Sequence, residues 1–249
     1  MQDLAGMRLD VACVELGIAP TRNKASALIQ KGKVCVNGEV ILKSAYKINA
    51  SDSITALESQ MFVSRAGEKL HCFLESYPTL LEQIPLNVSR GLDIGASTGG
   101  FSEVLLQKGI ASMTCVDVGE AQLHHTLREN PRVVSYENTD IRDFAKNNNE
   151  KFDCIVCDVS FISLKEILEV IKKLAKFLVI LLFKPQFEVG RNVKRNKKGV
   201  VMDRNVIKES LENMLGLLSQ NNFKILVCAE SQIKGKEGNA EFFIACQKL

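Results

Sequence analysis

The stretch GLDIGASTGGF at residues 91–101 constrains the fold of this chain more than any other part of the sequence. An apolar run ends in Asp93, glycines follow at 95, 99 and 100, and an apolar helical pattern begins at Phe101. Glycine lets a backbone approach a ligand closely, and the free N–H groups of the next helix would point at that ligand. The stretch therefore predicts a buried strand, a ligand-binding turn and a helix; a plain structural corner is the alternative.

Strand-like and helix-like patterns alternate through the chain from residue 86 onwards. The longest apolar run, residues 177–183, is too short to span a bilayer and is typical of a buried central strand. This alternation predicts an α/β fold with a mostly parallel, doubly wound sheet, whose ligands bind at the carboxyl ends of the strands. Five charged residues fall at or near predicted strand ends, namely Asp93, Asp117, Asp140, Asp158 and Lys184.

These acidic residues favour S-adenosylmethionine over a dinucleotide as the ligand. The turn reads Gly-x-x-x-Gly-Gly, which is neither the pattern of dinucleotide enzymes nor a P-loop. Asp93 would repel a pyrophosphate but suits an ammonium or sulfonium group, Asp117 suits ribose hydroxyls, and Asp140 would lie beside the adenine. For each acid alone, a helix cap or a solvated loop is the alternative. The predicted cofactor-binding residues are Asp93, Gly95, Ala96, Ser97, Thr98, Gly99, Gly100, Phe101, Asp117, Val118, Asp140, Ile141 and Asp158.

Two clusters of cations stand out although the net charge is only +3. The first occupies residues 22–33 and has no acid among its members, Arg22, Lys24, Lys31 and Lys33. The second lies in one predicted loop and comprises Arg191, Lys194, Arg195, Lys197 and Lys198. Either cluster suits the phosphates of a nucleic acid, and a solvated surface is the alternative. For the second cluster we favour an RNA clamp near the active site.

The cysteines and the N-terminus indicate a reduced, cytoplasmic protein. Most of the eight cysteines lie in apolar runs, and no basic-then-apolar leader precedes them. Cys154 and Cys157 are three apart on a predicted strand, so they would point to opposite faces of the sheet and could not share a metal ion. We therefore expect no metal and no membrane span, and nothing in the sequence requires an oligomer.

The first quarter of the chain resembles an S4 RNA-binding domain. The resemblance rests on a helix, the stretch TRNKASALIQKGKVCVNG and a hairpin that turns at Asn37-Gly38. It implies a small α+β module over residues 1–59, followed by a linker over residues 60–63. It also implies that structured RNA is contacted by Arg8, Arg22, Lys24, Lys31 and Lys33.

Nearly the whole chain resembles the TlyA family, through SRAGEKL, GLDIGASTGGF, CDVSFISL, LFKPQFEVG, KKGVV and KGKEGNAEFF. The resemblance implies a Rossmann-like, FtsJ-type class I methyltransferase domain over residues 64–249. The implied activity is S-adenosylmethionine-dependent 2′-O-methylation of a cytidine ribose in ribosomal RNA, with an effect on sensitivity to capreomycin and viomycin. The short N-terminus and the end after the last strand resemble the family type that modifies only large-subunit (23S) rRNA. Arg65 would join the RNA-binding residues.

The same resemblance implies a catalytic tetrad, which maps to Lys69, Asp158, Lys184 and Glu241. Lys184 would accept the proton of the 2′-hydroxyl, Asp158 and Glu241 would orient it, and Lys69 would position the 2′-oxygen. The chain departs from the family at the linker, where Gln60-Met61-Phe62-Val63 replaces Arg-x-Trp-Val, and at Met202, where arginine is common.

Two functions of other classes remain as alternatives. The family was once named for haemolysis, but the sequence offers no membrane-spanning segment, leader or strong lytic helix. An RNA-binding ribosome-assembly factor with an inactive methyltransferase fold is the other alternative. The intact tetrad and the glycine turn argue against that second function.

Overall fold

A computed structural model describes residues 4, 6–56, 62–190 and 193–249 of the chain. These residues form two compact units that divide between residues 61 and 62. Gln60 and Met61 of the predicted linker, and Arg191 of the predicted basic loop, lie outside the described residues. No helix within the described ranges is long and apolar enough to cross a membrane.

The first unit packs two helices against a small antiparallel sheet of order β2-β1-β3. Its elements are α1 (Leu9–Glu15), α2 (Arg22–Gln30), β1 (Val34–Val36), β2 (Glu39–Val40) and β3 (Ile54–Ala56). The side chain of Thr21 accepts a hydrogen bond from the Lys24 N–H and caps α2, as the sequence predicts. Asn37 and Gly38 both have positive φ, at 53° and 83°, which is the conformation that a tight β1–β2 hairpin requires.

The second unit is built on a seven-stranded sheet. Its helices are α3 (Arg65–Ser76), α4 (Thr79–Glu82), α5 (Gly100–Gln107), α6 (His125–Arg128), α7 (Ile141–Asn147), α8 (Leu164–Leu174), α9 (Pro185–Glu188) and α10 (Arg204–Gln220). Its strands are β4 (Arg90–Ile94), β5 (Ser112–Val116), β6 (Val133–Tyr136), β7 (Phe152–Cys157), β8 (Ala175–Phe183), β9 (Phe223–Glu230) and β10 (Phe242–Lys248).

The order of the strands in this sheet is β6-β5-β4-β7-β8-β10-β9. Strands β4 to β8 pair in parallel, whereas β10 lies antiparallel to both of its neighbours. Strands β5 and β6 follow on one side of β4 in the sheet, and the chain then crosses to the other side of β4, where it forms β7. This reversal makes a crevice at the carboxyl end of β4, which is where such sheets bind ligands. The predicted α/β fold is confirmed.

Each face of the sheet carries its own apolar core. Leu70, Phe101 and Phe243 belong to one core, and Ile155, Ile171 and Phe183 belong to the other. Cys154 and Cys157 are divided between the two cores, so the prediction that they point to opposite faces is confirmed.

Two details of the sequence interpretation need correction. The strand predicted from residue 86 begins only at Arg90, because Leu86–Val88 forms a 3₁₀ turn before it. The strand predicted over 177–183 begins earlier, at Ala175. Ends of elements carry weaker apolar patterns than their centres, which is why such boundaries shift by a few residues.

Candidate active site

The glycine turn after β4 adopts a backbone that few residues tolerate. Gly95 and Gly99 have φ values of 77° and 88°, and Ser97 between them also has a positive φ of 47°. A Cβ atom at Gly95 would lie 2.9 Å from the backbone oxygen of Asp158. Glycine is therefore required at residue 95, where the turn passes close to the loop that follows β7.

Asp93 lies at the base of this turn and is only 1% exposed. Its Oδ2 accepts hydrogen bonds from the backbone N–H and the hydroxyl of Ser102, at 3.0 and 2.7 Å. Its Oδ1 has no hydrogen-bond partner among the described residues. Burial raises the pKa of Asp93 to about 7, against the lowering effect of the Ser102 hydrogen bonds. An unpartnered buried oxygen of this kind suits a cationic ligand group.

Two chambers open at the carboxyl end of the sheet and share Gly95, Ser97, Asp158 and Ser160. The larger cleft, of about 410 Å³, is lined by Asp117, Val118, Asp140 and Ile141 among others. The smaller, of about 200 Å³, is lined by Ser64, Asp93, Ala96, Thr98, Phe101 and Lys184 among others. Together they form one elongated site around the glycine turn.

Most of the predicted cofactor-binding residues line these chambers, but Gly99 and Gly100 do not. A side chain at Gly99 would collide with Leu127, and one at Gly100 would collide with Ser64 and with the backbone of Gly67. These two glycines therefore allow close packing around α5.

Asp117 and Asp140 line the larger cleft, and their carboxylates also accept hydrogen bonds from backbone N–H groups. Asp117 accepts hydrogen bonds from the N–H of Ser97 at 2.8 Å and of Gly119 at 2.6 Å. Asp140 caps α7 and pairs with Arg142 at 2.6 Å, and the Arg142 hydrogen bond lowers the pKa of that carboxyl. Asp140 thus takes the helix-cap position that was the alternative for it, while remaining at the cleft wall.

The four residues of the predicted tetrad form two ion pairs. Lys69 Nζ lies 2.6 Å from Glu241 Oε2, and Lys184 Nζ lies 2.5 Å from Asp158 Oδ1. Asp158 Oδ1 has no hydrogen-bond partner among the described residues, so the second contact is an ion pair without a hydrogen bond. Lys69, Glu241 and Lys184 are all less than 9% exposed.

The pairing of β8 with β10 brings these two ion pairs side by side. Phe242 is opposite Phe183, so Glu241 and Lys184 are neighbours one residue beyond the paired strands. The last strand thereby carries a carboxylate to a lysine that is far from it in sequence. Lys184 and Asp158 line the chambers, whereas Lys69 and Glu241 line neither of them. An amine paired with a carboxylate at a chamber wall can hold and move a proton.

Two serines of the site were not identified as functional from the sequence. Ser64 directly precedes α3, but its side chain makes no capping bond, and its buried Oγ has no partner among the described residues. Ser160 lines both chambers and accepts a 2.9 Å hydrogen bond from Lys184 Nζ. A serine directly before a helix or after a catalytic acid is a common pattern, so the sequence carried no distinct signal for either.

The predicted RNA-binding residues differ in whether their charged groups are bound to other groups of the protein. Arg8 and Arg22 both bind the buried carboxylate of Asp10, at 2.9 and 3.1 Å, and the Arg8 hydrogen bond contributes most to lowering the pKa of Asp10 to about 2. Arg195 donates to the carbonyl oxygens of Val193 and Gly190 and so holds its own loop together. Arg65 donates to the carbonyl of Lys234. The exposed lysines of the set are Lys31, Lys33, Lys194, Lys197 and Lys198.

No three His, Cys, Asp or Glu side chains gather as a metal site would need, within the part of the chain that the structure describes.

Comparison with known proteins identifies both units. Residues 62–248 match the FtsJ-like methyltransferase family, and residues 7–54 match the S4 domain. The chain is 41% identical to the 23S rRNA (cytidine-2′-O)-methyltransferase TlyA of Campylobacter jejuni, over 90% of this chain and 92% of that protein. It is 34% identical to the 16S/23S rRNA (cytidine-2′-O)-methyltransferase TlyA of Mycobacterium tuberculosis, over 95% of this chain and 88% of that one.

A solved structure from Streptococcus thermophilus that carries a hemolysin name is also similar. It has a TM-score of 0.69 and 32% identity, and the match covers 98% of this chain and 89% of the other. With the sheet, the glycine turn and these matches in place, the resemblance noted in the sequence is confirmed: the chain is a methyltransferase that belongs to the FtsJ-like family, in its TlyA group with an S4 domain.

Proposed function

We propose that this protein transfers a methyl group from S-adenosylmethionine to the 2′-hydroxyl of a cytidine ribose in 23S rRNA. The observation that carries the proposal is the pair of buried Lys–carboxylate contacts, Lys69–Glu241 and Lys184–Asp158, of which the second lies at the wall of the ligand chambers. The activity for which the Campylobacter jejuni relative is named supports the choice of rRNA and of the ribose oxygen. We further propose that the modification affects sensitivity to capreomycin and viomycin.

The residues of the two chambers fit S-adenosylmethionine. The unpartnered Oδ1 of Asp93 suits the ammonium, and the Ser64 hydroxyl at the start of α3 suits the carboxylate of the same amino-acid end. Asp117 suits the ribose hydroxyls, and the apolar side chains of Val118 and Ile141 suit the adenine in the larger cleft. When bound, this cofactor supplies an electrophilic methyl group.

The residues of this chain have to place and deprotonate the ribose hydroxyl. Lys184 takes the proton of the 2′-hydroxyl, and its contact with Asp158 holds the amine at the chamber wall. Glu241 fixes the amine of Lys69, which positions the 2′-oxygen by a hydrogen bond. Much of the rate enhancement would come from this alignment, because ordering the reactants in advance removes an entropic cost.

The exposed lysines supply the RNA-binding surface of the proposal. In the first unit they are Lys31 and Lys33, and in the second they are Lys194, Lys197 and Lys198. Such side chains neutralise phosphates without reading sequence, so the identity of the modified nucleotide depends on the shape of the RNA.

Methyl transfer to purified ribosomal particles tests the proposal. Large subunits, small subunits and naked rRNA are each incubated with the protein and isotope-labelled cofactor, and the labelled nucleotide is mapped by mass spectrometry. We expect one methylated cytidine in large-subunit rRNA, at the ribose. Label in both rRNAs would overturn the restriction to 23S, and RNA binding without transfer would favour the inactive assembly factor.

The buried carboxyl of Asp93 predicts that cofactor binding is linked to pH. Its pKa is about 7 in the free protein, and a bound ammonium favours the carboxylate, so binding releases a proton. We therefore expect the affinity for S-adenosylmethionine to increase as the pH rises through about 7. Titration calorimetry in buffers of different ionisation enthalpy measures the released proton.

The same pKa predicts how the stability of the free protein changes. Between pH 3.8, the ordinary pKa of an aspartate side chain, and about pH 7 the folded state binds more protons at Asp93 than the unfolded state. The contribution of Asp93 to stability therefore falls as the pH rises through this interval. Asp93→Asn should weaken cofactor binding and remove both pH effects. Equal proton release by wild type and variant would exclude Asp93 as the ammonium-binding group.

The exposed lysines predict a change in the salt dependence of RNA binding. We expect Lys197→Ala with Lys198→Ala to weaken binding and to reduce the slope of log affinity against log salt by roughly 0.7–0.9 per lost phosphate contact. Filter binding over a salt series measures this slope. The control is Lys208→Ala with Lys224→Ala, which removes two exposed charges elsewhere in the same unit. Equal slopes for the two double variants would show that residues 197 and 198 are merely solvated.

A further inference from the structure

We propose that the hydroxyl of Ser160 is a positioning group that aims the amine of Lys184 at the ribose hydroxyl, an inference that rests on the proposed function. Ser160 follows β7 two residues after Asp158 and lines both chambers. Its Oγ lies 2.9 Å from Lys184 Nζ, the same nitrogen that is 2.5 Å from Asp158 Oδ1. One short loop therefore presents a carboxylate, through an ion pair, and a hydroxyl, through a hydrogen bond, to a single amine.

A directional acceptor matters because of the geometry of an amine. When it is ready to accept a proton, the nitrogen of Lys184 carries two N–H groups and one lone pair around its bond to the side chain. The Ser160 hydroxyl accepts one N–H and so restricts the directions in which the lone pair can point, whereas the ion pair with Asp158 holds the amine in place without a hydrogen bond. Without the Ser160 hydroxyl the amine rotates, and the lone pair spends part of its time in unproductive directions.

The backbone around Ser160 is consistent with a loop shaped for this contact. Phe161 directly after it has a φ of +68°, an unusual conformation for a bulky residue. The Phe161 side chain is 92% exposed, so burial of that ring does not explain the conformation. The start of the loop is anchored, because the Asp158 N–H donates to the Ile94 carbonyl at 3.0 Å. Strained backbone of this kind collects at functional sites.

The exposure of Ser160 makes its contribution to folding separable from its contribution to the reaction. The residue is exposed although its hydroxyl reaches Lys184. Loss of one hydroxyl at an exposed residue changes stability little. An effect of Ser160→Ala on the rate can therefore be assigned to the position of the amine.

The test compares Ser160→Ala, Ser160→Thr and the wild type. We expect Ser160→Ala to lower kcat roughly 10- to 100-fold, with the KM for RNA and the calorimetric affinity for S-adenosylmethionine unchanged. Ser160→Thr keeps the hydroxyl and should restore most of kcat. Ser219→Ala, the same substitution on the exposed face of α10, is the matched control. Equal kcat for Ser160→Ala and the control would overturn the proposal.

A second readout does not depend on activity. Nuclear magnetic resonance of isotope-labelled lysine reports the order parameter of the Lys184 amine. We expect this order parameter to fall in Ser160→Ala and to remain at the wild-type value in Ser160→Thr and Ser219→Ala. If the wild type methylates no ribosomal RNA but the order parameter falls as expected, the proposed substrate is wrong and the positioning contact stands. An unchanged order parameter overturns the contact whatever the substrate is.

Discussion

Lys184→Ala is expected to lower the methylation rate about 10²- to 10⁴-fold while leaving S-adenosylmethionine binding intact. The physical reason is that the variant removes the group proposed to accept the proton of the 2′-hydroxyl. The amine is held by Asp158 and by Ser160 at the smaller chamber, and no other described lysine lines either chamber. Single-turnover methylation of ribosomal particles measures the loss, and calorimetry checks the cofactor affinity.

A charge-preserving substitution separates proton transfer from electrostatics. Lys184→Arg keeps a cation near Asp158, but a guanidinium does not give up its proton under these conditions and cannot act as a base. We expect this variant to be as inactive as Lys184→Ala. Lys176→Ala is the control, because Lys176 lies on the same strand, β8, but is exposed and pairs with Asp153. Substantial activity of Lys184→Arg would remove the lysine from the role of proton acceptor.

Glu241→Ala is expected to destabilise the second unit by about 3–5 kcal/mol. The side chains of Lys69 and Glu241 are only 9% and 3% exposed, so the variant would leave an unpaired ammonium in the interior. Urea unfolding followed by circular dichroism measures the effect as a shift of the midpoint. We also expect loss of methylation, because Lys69 would no longer be held in place.

A double variant distinguishes the structural from the chemical contribution of this pair. Replacing both charges, with Lys69→Met and Glu241→Leu, removes the unpaired buried charge and should recover most of the lost stability. Methylation should remain absent, because no amine is left to position the 2′-oxygen. The control is Asp143→Ala, which breaks the exposed Lys146–Asp143 pair and should shift the midpoint little. A double variant that is folded and fully active would exclude the pair from the mechanism.

The residues of the site that lie at strand ends could be predicted from the sequence, because the pattern that marks them lies within a few neighbouring residues. Each apolar run is followed directly by its charged residue, so the alternation alone indicated that Asp93, Asp117, Asp158 and Lys184 would share one edge of the sheet. The alternation of strands and helices does not predict the order of the strands in the sheet. The insertion of β10 between β8 and β9, which brings Glu241 to Lys184, follows from packing across the whole sheet.

Other features could not be read from the sequence because they depend on contacts between distant elements. Arg22 stands in a run without acids, yet its partner Asp10 reaches it from another helix. The close packing around α5 that Gly99 and Gly100 allow depends on Leu127, Ser64 and Gly67, which the sequence of the turn does not reveal. The unpartnered oxygen of Ser64 and the hydrogen bond between Ser160 and Lys184 were equally hidden, because such contacts exist only in the folded chain.

The position of β10 has a consequence for the time at which the active site is completed. This strand follows every other strand of its sheet in chain order, yet it lies between β8 and β9. During translation the glycine turn, Asp158 and Lys184 all leave the ribosome before Glu241 does. A nascent chain can therefore have a ligand chamber and still lack the carboxylate that holds Lys69. The four-residue site is assembled only after the final strand has been made and has paired with β8.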